Sequence, residues 1–428
     1  MPATNNTGFK NSVYDASNQN TGILYTDRRD FYLDPNVTHE LYPEVTSFTT
    51  FLSRPQKRKK TKDPDFKMFE HRAVWYDMYC QNNGTNETLT AGTESGAIAV
   101  DGVVGGLVKG MKVDIYDSTK STYKGQGIIT TVISQTSIKI TPIYDAGAGD
   151  FADNDYMFIM GANSSEGGLS PEPWNDDLEL TYNSAGIMKT PVAITGTLLE
   201  MALRGYSKEL ARLRAEKEKE HKMLREKNYF FSRRKGGISA TPNHVYNSDN
   251  MVYRTTHGII PCIEDFNGGS NVLSRTIADY NYSKVVDDVF TIFRDGNAKG
   301  IKYVWCGDGY LSYWSKMTGQ GGFLEKSNIH LYPERVMTKY GFNVQEVHTP
   351  GGILKFVRSK LLTTTHNGLY TNYGIVVDPE NLFQVTYRPA KYQTSIQEND
   401  RDGIKDQYFC DEGLGVVLPE THFIHKFA

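Results

Sequence analysis

The sequence predicts an α+β fold with a small β-barrel or sandwich inserted into it, on three observations. A single helical stretch runs from Thr197 to Gly236, roughly 60 Å long at 1.5 Å per residue. Between Ile98 and Met160 the pattern switches to short alternating strands parted by Gly, Asp and Ser clusters. Over 283–317 a helix–strand–helix order leads into a strand-rich C-terminal part.

Taken in order, residues 1–50 are rich in Asn, Thr, Asp and Tyr and show no period, which predicts an irregular arm. The run RPQKRKKTK (54–62) follows, with Arg54, Lys57, Arg58, Lys59, Lys60 and Lys62 and no acid. HRAVWYDMYC (71–80) reads as a strand and 81–96 as a Gly/Asn/Thr-rich linker. Met111-Val113-Ile115, Ile128-Thr130-Val132, Ile138-Ile140 and Tyr156-Phe158-Met160 then set the strands of an insert placed at 85–164. The return limb 166–184 carries Glu166, Glu172, Asp176, Asp177 and Glu179, so a basic outgoing limb and an acidic returning limb bracket the insert.

The long helix starts at a capping box, Thr197 with Glu200, whose side chains can satisfy amides left open in the first turn. Leu203, Tyr206, Leu210 and Leu213 fall on one stripe, and that spacing carries the helix unbroken through Gly205. Its waist, Arg214–Lys222, has Ala215 as its one apolar residue; Arg212/Glu216, Glu218/Lys222 and Lys222/Glu226 stand four apart and support a helix without a core. A solvated helix and a strut meeting neighbouring subunits both fit. Arg233, Arg234 and Lys235 suit the negative end, and Gly236-Gly237 ends it.

Residues 238–262 read as extended and turn-rich. A helix over 283–294, capped by Ser283, buries Val286, Val289, Ile292 and Phe293; the strand IKYVWC (301–306) and a helix capped by Asp308 come next. VQEVHT, ILKFVRS, YGIVVD and GVVLPETHFIHKF supply the later strands.

At 428 residues the length prior is about three domains. No apolar run reaches membrane-spanning length, and MPATNNTGFKNS lacks a secretory signal pattern. Four scattered cysteines without CxxC point to a reducing cytosol. The net charge of −3 is segregated: 54–62 and 200–235 carry +6 each, leaving −15 on the remainder. Such segregation suits ordered self-association or a polyanion more than a small-molecule enzyme.

Sites of chemistry are not evident. GGLVKG (105–110) and GDG (307–309) lack phosphate-loop spacing, His422 and His425 alternate across a strand, and Cys262 and Cys306 read as buried thiols. We assign no catalytic residue, no metal and no cofactor. The basic run fits three partners: nucleic acid phosphates, solvent, or the acidic limb.

An arm, a two-limbed excursion, one long helix, an α/β part and a strand-rich return resemble the Hong Kong 97-type major capsid protein of tailed bacteriophages. TGTLLEMALRGYSKELARLRAEKEKEHK with FFSRRKGG is similar to the spine-helix signature of one such family, and MFIMGANSSEGG (157–168) to the end of its E-loop β-domain. The resemblance implies an N-arm (1–50), E-loop limbs (51–84 and 165–190) around the insert, and a P-domain (191–262) holding the spine helix 197–235. It further implies an A-domain (263–375) and a return to the P- and A-domains (376–428). It implies hexamers and pentamers of an icosahedral shell around non-specifically packaged double-stranded DNA, assembled in the host cytoplasm. A separate scaffold protein, a portal and a decoration protein are the implied partners, and no membrane. Another virion or tail component and, more weakly, an α/β enzyme remain alternatives.

Overall fold

The computed structural model describes residues 47–145, 151–164, 166–167, 172–200, 209–241, 243–294, 300–318, 334–337, 343–349 and 351–428. They fall into two compact units. One joins 188–225 with 390–410; the other comprises 47–187, 226–389 and 411–428.

The larger unit opens with helix α1, Ser47–Leu52, whose Phe48 and Phe51 rings pack on Trp305 at 4.9 and 5.1 Å. Strand β1, Arg58–Lys60, covers part of the basic run. Strand β2, Asp65–Glu70, alternates buried Phe66, Met68 and Glu70 with exposed Lys67 and Phe69, the two-residue period of a half-buried strand.

The insert is a closed six-stranded barrel: β3 (Tyr79–Asn82), β4 (Ile98–Val104), β5 (Met111–Tyr116), β6 (Tyr123–Ser134), β7 (Ser137–Asp145) and β8 (Tyr156–Ala162), ordered β3-β4-β7-β6-β5-β8. Closure leaves no free sheet edge. Its core is its own, with Cys80, Ile98, Val113, Ile115, Ile129 and Ile140 all at 0% exposure. Fully burying each such aliphatic side chain contributes about 1.5–3 kcal/mol. The barrel recruits Tyr79–Asn82 as a strand, ahead of the boundary expected at residue 85. The strand expected over 71–80 is absent: Val74–Tyr76 form a 3-10 turn, and pairing starts only at Tyr79.

Strand β9, Glu179–Ser184, returns antiparallel to β2 and makes a two-stranded ribbon, with Phe69 opposite Leu180 and Glu70 opposite Glu179. Strand β10, Gly186–Ile194, alternates strictly and carries exposed Pro191 on an outer strand, where a missing N–H is tolerated.

Helix α2 is Gly196–Glu200, and its cap is Thr195 rather than Thr197: the Thr195 hydroxyl accepts the Leu198 N–H at 3.4 Å. Leu203, Gly205 and Tyr206 lie outside the described residues, and with them the question of continuity through Gly205. Helix α3 spans Glu209–Phe231, with Leu210 and Leu213 half-buried. Arg212 meets Glu216 at 3.0 Å and Lys222 meets Glu218 at 2.6 Å, as the spacing requires. The Lys222/Glu226 pair does not form, because Glu226 is buried and accepts the Thr49 N–H at 3.2 Å.

Helix α3 also ends before the arginines. The Ser232 carbonyl accepts the Gly258 N–H at 2.7 Å and the Arg233 carbonyl accepts the Thr255 hydroxyl at 2.9 Å, so tertiary donors replace the next turn. Arg234 folds back onto the Gly237 and Ala240 carbonyls instead of closing a last turn. Gly236 and Gly237, at φ of +87° and +63°, make the turn that follows.

Strands β11 (Val245–Tyr246) and β12 (Val252–Tyr253) form a short hairpin, and helix α4 is Ile259–Asp265. Strand β13, Val272–Arg275, starts the main sheet. Helix α5, Tyr282–Arg294, takes its cap from Asn281, which accepts the Lys284 N–H at 3.1 Å, and not from Ser283. Val285, Val289 and Ile292 are buried, while Val286 is half-buried. Strand β14 is Ile301–Cys306, as expected. In helix α6, Asp308–Thr318, Asp308 sits in the first turn, and Arg358 holds its carboxylate with two bonds of 2.6 Å.

Strands β15 (Glu334–Met337), β16 (Asn343–Thr349) and β17 (Gly352–Arg358), helix α7 (Lys360–Thr364), and strands β18 (Tyr373–Val377), β19 (Leu382–Gln393), β20 (Ile404–Val416) and β21 (Phe423–Phe427) complete the chain. The seven-stranded mixed sheet runs β13-β21-β18-β14-β17-β16-β15, with β14/β17 and β13/β21 parallel. Its core gathers Val304, Phe356, Val376, Tyr310, Trp314 and Phe423. A four-stranded sheet runs β1-β19-β20-β10. The expected strand 415–427 divides between the two sheets, because the 3-10 turn Pro419–Thr421 interrupts it.

Candidate assembly surfaces

The ribbon β2/β9 carries the insert, and the charges expected to matter lie at its roots. Arg58, Lys59 and Lys60 are exposed on β1, which pairs in parallel with Gln384–Thr386. The Lys59 ammonium lies 3.7 Å from the Phe383 ring centroid, and the Arg54 guanidinium 4.8 Å from that of Phe51. Partial burial pushes the Lys57 ammonium below its usual range, with Asp378 and Glu380 opposing the shift. Lys62 is exposed.

Glu172, Asp176, Asp177 and Glu179 are all exposed. Asp176 stands 3.7 Å from His71, and Glu179 bonds to Arg72. Among the described residues, Arg58, Lys60 and Lys62 form no ion pair with these four carboxylates.

Arg72, two residues beyond β2, is the ionic centre of the ribbon's end. It donates to both Glu420 oxygens at 2.8 and 3.1 Å, to Glu70 at 2.9 Å, and to Glu179. Burial works against the guanidinium charge, and the three carboxylates more than offset it. Glu70, itself buried, also accepts the Leu418 N–H at 3.0 Å and the Thr181 hydroxyl at 3.1 Å. Sequence reading missed this centre because Glu420 is 348 residues away from Arg72.

Helix α3 shows the same logic inside the smaller unit. Arg214 donates to Asp406 at 2.9 and 2.6 Å, Tyr392 donates to the same carboxylate, and the Tyr408 hydroxyl donates to the Arg214 carbonyl at 3.1 Å. His221 is buried, 3.0 Å from the Thr190 hydroxyl, with its ring 6.0 Å from Tyr408. The charged waist is therefore fastened to strand β20, and His221 is a buried point that no apolar spacing could reveal.

These arrangements tie distant segments of the chain to one another. All four cysteines are buried, and burial pushes Cys80 up to about 12 and Cys262 and Cys306 higher still. His422 is buried and pushed down to about 3 by burial and Lys302, while His425 bonds to Tyr310 at 2.7 Å. Among the described residues no three His, Cys, Asp or Glu side chains are grouped to hold a metal ion, and no helix is long and apolar enough to cross a membrane.

The model of the SU10 major capsid protein family matches residues 17–426. The chain belongs to that family. The Hong Kong 97-type recognition carried by the spine helix and E-loop motifs thus holds, as do the α+β fold class and the function: this is a major capsid protein, a structural component of a phage virion. No curated relative matches the chain. Similar solved structures include Mycobacterium phage Bobi, at TM-score 0.39 and 8% identity over 62% of this chain and 81% of that one. The capsid of Cyanophage P-SCSP1u is similar at TM-score 0.35 and 10% identity, over 62% and 80%. The SrpI encapsulin of Synechococcus elongatus PCC 7942 is similar at TM-score 0.37 and 6% identity, over 59% and 77%.

Proposed function

We propose that this capsid protein forms the hexamers and pentamers of an icosahedral shell enclosing double-stranded DNA, with no enzymatic role. Assembly would take place in the host cytoplasm around a separate scaffold protein and a portal, with a decoration protein on the finished shell. In this reading 51–84 and 165–190 are the E-loop limbs. Residues 191–262 and 263–375 are the P- and A-domains, and the final 376–428 is shared between them.

The observation that carries it is the unspent charge at the roots of the ribbon. Arg58, Lys60 and Lys62 make no ion pair with the described residues, and neither do Glu172 and Asp177. A neighbouring copy supplies the missing opposite charge. Each exposed pair is worth only about 0–1 kcal/mol, but a shell repeats it at every subunit, and complementary charge sets register more than affinity. Asp176 and Glu179 are partly committed to His71 and Arg72, so the test should spare them.

Reversing Glu172 and Asp177 to Lys is expected to slow or misdirect assembly without DNA, and reversing Arg58, Lys60 and Lys62 as well should partly restore it. Light scattering and electron microscopy read both. Normal shells from the acid-reversed protein would rule the pairing out. A defect confined to DNA packaging would instead assign the basic run to the DNA side.

A further inference from the structure

The hairpin after α3 is a finger that the shell-forming account leaves unused. Val245, Tyr246, Met251 and Tyr253 are 53%, 58%, 61% and 61% exposed, and between 245 and 253 the sequence has one charged residue, Asp249. Water is poor cover for such a patch.

The finger is also rigidly built. The Asn247 carboxamide accepts the N–H groups of Asp249 and Met251 at 2.9 and 2.7 Å, and the Asn247 N–H donates to the Met251 carbonyl at 2.9 Å. Asn250 takes the left-handed conformation at φ +60° that closes the turn. Its base is fixed by His244 on Asp65 at 2.9 Å. A two-stranded hairpin has no core of its own, so a shaped apolar finger calls for a partner.

A receiving face exists on the same unit. Phe69, 68% exposed, stands directly opposite Leu180 on the outer side of the ribbon, and Leu178, Trp75 and Tyr76 are 53%, 63% and 85% exposed. Both patches stay open with the finger in place, so the chain does not cover one with the other.

We propose that the finger Val245–Tyr253 docks on the Phe69–Leu180 face of a second copy of this chain. The proposal rests on the major-capsid-protein reading, in which the partner present at every subunit is another copy. A finger on one surface and its receiver on a different one make a heterologous contact, the kind that propagates around rings and shells instead of stopping at a dimer.

The test is cross-linking in shells of the full chain, using Tyr246→Cys with Leu180→Cys and each alone. The four native cysteines are buried and stay silent under mild oxidation. The double variant is expected to run as a ladder of dimers and higher oligomers on a non-reducing gel, and each single variant as monomer. Intact shells whose double variant stays monomeric overturn the proposal while leaving the capsid reading standing. So does a dimer from Tyr246→Cys alone, which would mean that fingers meet fingers, or a fast-running monomer closed within one chain. A second pair, Tyr253→Cys with Phe69→Cys, decides the matter if the first fails to fold. If the unmodified chain forms no shells either alone or with its scaffold, the shell-forming reading itself falls, and this proposal with it.

Discussion

Glu226 stands at 0% exposure with its carboxylate on the Thr49 N–H, tying the end of α3 to helix α1. Burial pushes the carboxyl up to about 7, and the bonds from Thr49 and Phe48 only partly oppose this. A folded-state pKa raised above the ordinary 4.5 means stability fully present below about pH 4.5 and lost as pH rises through about 7. The loss amounts to about 3 kcal/mol at most. Glu226→Gln keeps an acceptor for Thr49 without the charge. Urea midpoints of unassembled subunits should therefore converge near pH 5 and separate by pH 8 in favour of the variant. Parallel pH profiles would contradict this. The sequence hid the residue, since Lys222 four positions earlier offers a local partner, whereas the real one is 177 residues away.

At the scale of elements, the barrel was the most legible part and the ends of α3 the least. Alternation located β5, β6, β7 and β8, because a closed barrel sends every second side chain into one core. Its phase held only in β5 and β7: Ile129 and Met157 fill the core, and not Ile128-Thr130-Val132 or Tyr156-Phe158-Met160. Strand β3 escaped because Tyr79–Asn82 is short and follows a run of aromatic residues that turn instead of extending. The end of α3 escaped because Gly258 and Thr255, over twenty residues on, supply the donors that stop it. Since the barrel core is closed on itself, excising 79–162 with a Gly/Ser join should leave the rest folded. Hydrogen exchange is expected to keep the amides of 209–231 and 301–306 protected. Loss of protection there would show that the barrel supports the body it is inserted in.

For the whole molecule, the order of parts was readable and the pairing was not. The insert, the long helix and the strand-rich return follow from composition and period, and the family match spans 17–426. The insertion of β21 between β13 and β18 was out of reach, because register in a mixed sheet depends on partners far apart in sequence. So were the ionic ties Arg72–Glu420 and Arg214–Asp406, which fix the ends of the ribbon and the waist of the helix. The central claim is that this chain, repeated, closes a shell. Electron microscopy of the full chain, expressed alone and with its scaffold, tests it most directly. The account predicts closed particles of uniform size with icosahedral symmetry in at least one of the two preparations. Monomers, tubes or irregular aggregates in both would contradict it.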